Sequence, residues 1–217
     1  MTPQMIDRLW QAFLDTGLMV GVSAGIAVLA GLPLALFLVI SGPGGIVPAP
    51  AANRVVGAVV NGFRAVPFIV LLVALIPFTR LVAGTTIGVW AAIVPLAVSA
   101  TPFFARIAEV SLREVDAGLI EAAQSIGCRR RHILAHVLLP EALPGIVAGF
   151  TITVVSMIGA SAMAGAVGAG GLGDVAIRYG YQRFDTTVMI GVIAILIALV
   201  CVVQFAGDTA VRRLRAR

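Results

Sequence analysis

The sequence contains no lysine, and all 15 of its basic residues are arginine. Charged residues make up only 12% of the 217 residues, whereas hydrophobic residues make up 60%. A soluble domain has about 25% charged residues, so this composition favours a protein built for lipid. The missing lysine also excludes a P-loop ATPase, because that motif uses its lysine to reach the nucleotide phosphates. We therefore predict that another polypeptide supplies any energy from ATP.

Cysteine and histidine are scarce as well, with two of each. Cys128 lies in a basic loop and Cys201 in an apolar run, so we predict that they form no disulfide. The spacing of His132 and His136 can hold a metal on a helix, but no third ligand is nearby in sequence, and we predict no metal site. The net charge of +5 comes from arginines scattered at the ends of apolar runs, which argues against a nucleic-acid partner. No nucleophile–base pattern suggests that the chain is itself an enzyme.

Long uncharged runs dominate what the sequence does contain. They cover residues 16–53, 81–105, 142–173 and 186–207. A membrane-spanning helix needs about 20 apolar residues, and lipid offers the backbone no other hydrogen-bond partners. We therefore predict an all-α membrane protein with five transmembrane helices, at about 17–40, 58–82, 86–110, 143–165 and 186–207.

The other segments are assigned around these spans. Residues 1–16 are predicted to form an amphipathic interfacial helix that is capped by Thr2. Residues 17–208 form the transmembrane domain, with one large cytoplasmic loop at 114–142. Residues 209–217 form a basic cytoplasmic tail.

The arginines predict the orientation of the chain in the membrane. With the N-terminus outside and the C-terminus in the cytoplasm, eleven arginines lie on the cytoplasmic side and four outside, as the positive-inside rule requires. Arg64, Arg106 and Glu109 would lie near cytoplasmic ends of spans, where long side chains reach water. We predict a multi-pass protein of the bacterial inner membrane, in contact with lipid.

A glycine cluster at 168–173 spells GxGxxG, which is typical of a dinucleotide-binding fold. That fold needs a strand before the cluster and a helix after it, whereas here a membrane span precedes it and a predicted polar loop, 174–185, follows. We therefore exclude dinucleotide binding. We predict instead an external segment in which the backbone turns tightly or packs closely. Its glycines are Gly165, Gly168, Gly170, Gly171 and Gly173.

The cytoplasmic loop carries the most informative pattern. Asp116 is a good helix N-cap, residues 117–126 can form a helix, and Gly127 suits the position just past its end. A second short helix is predicted at about 130–138. The result would be an exposed helix–glycine–helix elbow.

This loop resembles the EAA loop of permease subunits of binding-protein-dependent ABC importers. Their pattern is EAA, three residues, glycine, nine residues and Ile-x-Leu-Pro, and here Val137 replaces the isoleucine. Segments 64–68, 77–80, 139–145, 161–173 and 204–208 resemble the permeases of methionine-uptake importers. The resemblance covers nearly the whole chain.

The resemblance implies a type I ABC importer permease fold and a pathway for methionine, both L and D. It also implies three kinds of partner: a second copy of the chain, two cytoplasmic ATP-binding subunits and an external substrate-binding lipoprotein. ATP and magnesium would be used by the partner subunits, and this chain would bind no cofactor. The residues implied in coupling to the ATPase are Glu121, Ala122, Ala123, Gly127, Leu139 and Pro140.

Two alternatives remain at this point. The same importer class could carry another small solute, such as a phosphonate, a quaternary amine or another amino acid. An autonomous channel or secondary carrier would need ionisable groups at mid-membrane, which the predicted spans do not provide. Met163, a long side chain among small residues, is a candidate pore gate; it could equally be a lipid-facing or packing residue.

Overall fold

The structure, a computed structural model, describes residues 3–216. The predicted cap Thr2 and the last residue of the predicted tail, Arg217, lie outside this range. Within it the chain forms ten α-helices joined by turns and three short π-helical segments, with no strand. The α-helices are α1 Pro3–Ile40, α2 Pro50–Ala65, α3 Phe68–Ala74, α4 Ile76–Ala83, α5 Val89–Arg113, α6 Ala117–Ser125, α7 Arg130–Ile133, α8 Leu139–Ala164, α9 Gly171–Val175 and α10 Thr186–Arg215.

Four helices among the described residues are long and apolar enough to cross a membrane. They are α1, α5, α10 and the continuous helix Arg130–Ala169, of which α8 is the main part. Together, α2 and α3 supply a fifth candidate span, bent by 104°. The predicted class, an all-α membrane protein, is confirmed, and the five predicted spans correspond to four such helices and this one bent pair.

The second predicted span, 58–82, is not one straight helix. It begins earlier, at Pro50, and breaks between α2 and α3, where Val66 has an extended backbone (φ −81°, ψ 125°). Pro67 causes the break, because a proline disfavours helical geometry in the residue before it and donates no hydrogen bond of its own. A turn at Leu75 then separates α3 from α4.

The predicted interfacial helix and the first span form a single helix, α1. Its N-terminal half packs on the protein, because Leu9 and Ala12 are buried against α9 and α10. The backbone N–H of Leu172 in α9 donates to Thr16 Oγ1 at 2.9 Å, and Arg8 donates to the Tyr179 hydroxyl. These contacts stabilise the helix across the boundary that the sequence predicted between residues 16 and 17.

The predicted tail is likewise the continuation of a helix. α10 extends to Arg215 and has three arginines in its last turn, which suits the negative end of the helix dipole. Gln204 also donates to Asp208 across one turn at 3.0 Å. The helix therefore continues past the apolar segment on its own local interactions.

The core is formed where α5 packs between α1 and α8, and α8 packs on α10. Small residues allow the first contact: a Cβ on Gly31 would lie 2.9 Å from both Phe104 Cδ1 and the Thr101 carbonyl. Ala35 and Ala105 are fully buried at the same contact. Close approach through small residues is the usual way in which membrane helices pack. We call the end of the bundle that carries residues 114–142 the elbow end, and the end with residues 165–173 the glycine end.

Candidate functional site

The elbow at 114–142 has the predicted helix–glycine–helix form. Asp116 Oδ1 accepts a hydrogen bond from the backbone N–H of Leu119 at 3.3 Å, which caps α6 as expected. At the other end, the N–H of Gly127 donates to the Gln124 carbonyl and that of Cys128 to the Ala123 carbonyl, both at 3.0 Å. With a φ of +79° at Gly127, these bonds form a Schellman motif. The direction of the chain after α6 is thus set by one glycine.

The EAA residues divide between the surface and the interior. Glu121 and Ala122 are exposed, whereas Ala123 is only 8% exposed. Ala123 therefore packs α6 onto its own chain and offers little surface to a partner. Of the last two residues of the motif, Leu139 is half-buried and Pro140 exposed.

An exposed apolar face on α6 was missed by sequence reasoning. Leu119, Ala122 and Ile126 lie at helical spacing, so they share one face, and all three are exposed, Ile126 to 79%. Helical periodicity within the EAA segment could have identified this face. An apolar helix face of this kind is suited to a hydrophobic groove on a partner.

The second arm of the elbow runs directly into the bundle. α7 continues through a π-helical segment, Leu134–Leu138, into α8, so that residues 130–164 form one helix. The second helix of the elbow was predicted to end at about residue 138, whereas in the structure it continues into α8. A push on the elbow would reach α8 through continuous helix, without an intervening loop.

Ion pairs fix the base of the elbow. Glu109, which is 4% exposed, accepts from Arg106 at 2.6 Å and from Arg113 at 2.9 Å. Arg113 also donates to the Leu38 carbonyl at 3.3 Å, and Asn53 donates to the same carbonyl at 2.7 Å. α5 is thereby tied to the end of α1 and the start of α2 immediately before the elbow begins.

The two histidines of the elbow form a stacked pair, with ring centroids 5.7 Å apart. In the part of the chain that the structure describes, no group of three His, Cys, Asp or Glu side chains could hold a metal. His132 and His136 are both exposed. The pair thus remains a surface feature of α7 and the π-helical segment.

The glycine end confirms the predicted turns and close packing. Gly168, Gly170 and Gly171 have φ values of +92°, +85° and +75°, which favour glycine. A Cβ on Gly173 would lie 2.2 Å from the Ala162 carbonyl oxygen, and one on Gly165 would lie 2.5 Å from the Asp174 nitrogen. The glycines therefore let the chain fold back onto the end of α8.

The segment after the glycines is helical, contrary to the predicted polar loop at 174–185. α9 is followed by a π-helical segment, Ala176–Tyr181. Leu172 and Val175 are buried, and Asp174 pairs with Arg178 at 2.7 Å across one turn. The buried apolar side and this ion pair explain why the segment is helical although its charged residues suggested a loop.

Met163 lies near the end of α8 and is 52% exposed on the isolated chain. Its neighbours Ser161 and Ala164 are buried, so the Met163 side chain is on the side of α8 that its own bundle leaves uncovered. This position is open to a second copy of the chain or to lipid.

A cavity lies between the α2–α3 bend, α5 and α8. Its empty space of about 460 Å³ includes a mouth that is open to solvent. Arg64 lines it together with Ser99, which is near the middle of α5, and Ser156 of α8. Arg64 thus lies beside the middle of α5 and α8, further along the bundle than its predicted position near one end of a span. The difference arises because α2 begins at Pro50, so that Arg64 lies at the end of α2 remote from the elbow.

Comparison with known proteins identifies the family. Residues 27–217 match the family of the binding-protein-dependent transport system inner membrane component. The chain belongs to this family. It is 49% identical over 211 residues to the probable D-methionine transport system permease protein MetI of Vibrio cholerae, covering 97% of this chain and 94% of that protein. It is 42% identical over 158 residues to the methionine import system permease protein MetP of Bacillus subtilis, covering 73% and 71%.

Solved structures agree with this assignment. The fold is similar to that of a chain of the MetNI methionine ABC transporter in inward-facing conformations, with a TM-score of 0.97, 47% identity and 99% of each chain covered. An amino acid ABC transporter determined with histidines has the same fold, with a TM-score of 0.80 at 21% identity over 97% of this chain and 95% of that chain.

Membership of this family settles the class of activity. The protein is a multi-pass transport subunit of an ABC importer in the inner membrane, with the type I permease fold. It is not an enzyme, because ATP hydrolysis in such importers belongs to a separate ATPase subunit. An autonomous channel or secondary carrier is thereby excluded.

Proposed function

We propose that this protein is the membrane-spanning subunit of an ATP-driven methionine importer. The observation that carries the proposal is the exposed elbow, which presents the EAA pattern as a capped helix and a glycine turn at one end of a bundle that resembles a methionine permease along its whole length. Methionine is the solute named for its relatives of 42–49% identity.

Two copies of the chain form the pathway in this proposal, and each elbow docks on one ATP-binding subunit. The apolar face formed by Leu119, Ala122 and Ile126 fits into a groove on the ATPase, and Glu121 lies beside it to pair with a basic group. Gly127, Leu139 and Pro140 hold the shape through which the movement passes to α8. ATP and magnesium bind to the partner, and the permease needs no cofactor.

The proposed orientation places the elbow end in the cytoplasm, with the N-terminus outside. An external substrate-binding lipoprotein then delivers methionine to the glycine end. Removing Arg64 from the cytoplasmic count still leaves more arginines at the elbow end than the four opposite, so the positive-inside argument holds.

The test is reconstitution of the permease in liposomes with its ATPase and binding protein. We expect ATP-dependent uptake of L- and D-methionine, and none of glycine betaine, a phosphonate or histidine. Uptake of one of those solutes in place of methionine would refute the substrate assignment. Uptake without the ATPase would refute the importer mechanism itself.

A variant of the α6 face tests the coupling. Ile126→Glu should abolish methionine uptake, because it places a charge in an apolar contact. Gln124→Glu is the matched control, since Gln124 is exposed about half a turn away from Ala122 and receives the same charge. Normal uptake by Ile126→Glu would show that this face does not dock.

A further inference from the structure

The polar cavity beside the α2–α3 bend is lined by no residue of the elbow. Its wall combines a cation, hydroxyl groups and apolar side chains: Arg64, Ser99, Ser156, Phe63, Leu96 and Met157. An ionisable side chain among membrane-spanning helices generally marks a functional site, because it is costly to keep there.

The guanidinium of Arg64 is available to a ligand. Among residues 3–216, no carboxylate lies within ion-pair distance of it, and no side chain or carbonyl accepts its hydrogen bonds. The arginines at the base of the elbow differ, since Arg106 and Arg113 both form ion pairs with Glu109. Arg64 is exposed on the single chain and has no counter-ion among these residues, so its charge is free to meet a ligand.

Two of the three hydroxyl groups at the cavity wall also lack a hydrogen-bond partner among the described residues. Thr153 Oγ1, at the cavity wall, is already satisfied by the Gly149 carbonyl at 2.8 Å. Ser99 and Ser156 make no such bond within the described part of the chain, and Ser156 is exposed to the cavity side. Two hydroxyls and a guanidinium thus remain for polar contacts.

We infer that this cavity is a transient binding site for the transported amino acid, in which Arg64 binds the α-carboxylate. Arginine forms a two-pronged hydrogen-bonded pair with carboxylates that other cations cannot match. The hydroxyls of Ser99 and Ser156 accept hydrogen bonds from the ammonium group of the bound methionine. Its side chain contacts the apolar part of the wall, formed by Met157, Leu96 and Phe63. A flexible thioether suits such an apolar wall, because sulfur is polarisable and packs well against aromatic rings.

The Pro67 break explains why the site lies at this bend. It ends α2 at Ala65 and turns the chain by 104°, so that Arg64 lies on the last turn of a helix and not within a continuous span. This inference rests on the proposed function, since it names the contacts that the permease itself makes with the solute.

The test measures protection of an introduced cysteine by the solute. Cys128→Ser and Cys201→Ala remove the two native thiols, which are both exposed. Ser156→Cys is then modified with a small methanethiosulfonate reagent in the complete permease–ATPase complex, with and without L-methionine. At a concentration of twice Kd, we expect modification about threefold slower, because about two thirds of the sites are filled.

Three comparisons make the result specific. L-methioninol, which has no carboxylate, should protect far less than L-methionine. Arg64→Gln should remove the protection, whereas Arg54→Gln, at the other end of α2, should not. Gln182→Cys, at an exposed position beyond α9, should be modified at the same rate with or without L-methionine.

The outcomes separate this inference from the proposed function. Methionine uptake by the parent complex without protection of Ser156→Cys would overturn the site and leave the importer intact. Equal protection by methioninol, or protection that survives Arg64→Gln, would overturn the role of Arg64. If Arg64→Gln does not assemble with the ATPase, the methioninol comparison decides the role of the guanidinium without that variant.

Discussion

At the scale of the residue, Gly127 controls the shape of the elbow. Nothing lies within 4 Å of where its Cβ would be, so a larger side chain meets only the strain of a φ of +79°. That strain is about 1–2 kcal/mol for a residue other than glycine. We expect Gly127→Val to reduce ATP-driven methionine uptake by at least about fivefold, the population change that 1 kcal/mol produces. Gly127→Asn should retain more uptake, because asparagine tolerates this conformation. Equal uptake by the parent and Gly127→Val would contradict a role for the turn.

Residue roles were only partly predictable from sequence. The cap at Asp116 and the turn at Gly127 follow from local rules of hydrogen bonding and steric freedom, and both are found. The burial of Ala123 and the depth of Arg64 depend on which face of a helix meets the bundle and where a helix begins. These are tertiary facts that the spacing of residues within one segment does not specify.

At the scale of the element, the fold-back at the glycine end depends on Gly173. A methyl group there would lie 2.2 Å from the Ala162 carbonyl oxygen and 2.5 Å from Ala162 Cα, and both atoms belong to the backbone of α8. Gly173→Ala must therefore separate α8 and α9, and overpacking of this kind typically costs about 1–3 kcal/mol.

We expect Gly173→Ala to lower the midpoint of thermal unfolding of the detergent-purified protein. Gly159→Ala is the matched control, because Gly159 lies in α8 and nothing is within 4 Å of the position that a methyl group would take there. An unchanged midpoint for Gly173→Ala would show that α9 is not packed on α8 as described.

Helices were predictable where they cross lipid and less so at their ends. The fourth and fifth spans lie within helices of the structure, and the third does so from Val89 onward, because long apolar runs leave the backbone no alternative. The bend at Pro67 was not predicted, because the sequence is hydrophobic on both sides of it and resembles one continuous span. α1 and α10 continue past their apolar runs because tertiary contacts and side-chain hydrogen bonds support the extra turns.

At the scale of the whole molecule, the proposed orientation predicts which surfaces a reagent can reach. In a Cys201→Ala background, the native Cys128 at the elbow should not react with an impermeant thiol reagent applied to intact cells. Gln182→Cys, an exposed position beyond α9, should react under the same conditions. Permeabilised cells provide the control, since Cys128 should then become accessible. Labelling of Cys128 in intact cells would reverse the orientation.

The role of Met163 also belongs to the whole molecule, because it depends on a second copy of the chain. The Met163 side chain is half-exposed near the glycine end, on the side of α8 that its own bundle leaves uncovered. Across a dimer axis, two such thioethers can meet, close the pathway and part when the helices move.

We therefore expect Met163→Ala in ATP-free complexes to make liposomes leak small solutes. Met189→Ala is the control for packing, because Met189 lies against Gly180 within one chain, with its Cε 2.8 Å from where a Cβ on Gly180 would be. That variant should lose stability without a leak, since the contact that it removes lies within a single chain. The decisive measurement is efflux of a trapped fluorescent solute, compared between the two variants and the parent. Liposomes with Met163→Ala that remain as tight as the parent would assign Met163 to lipid contact or packing, and the closure would then have to come from other residues of the glycine end.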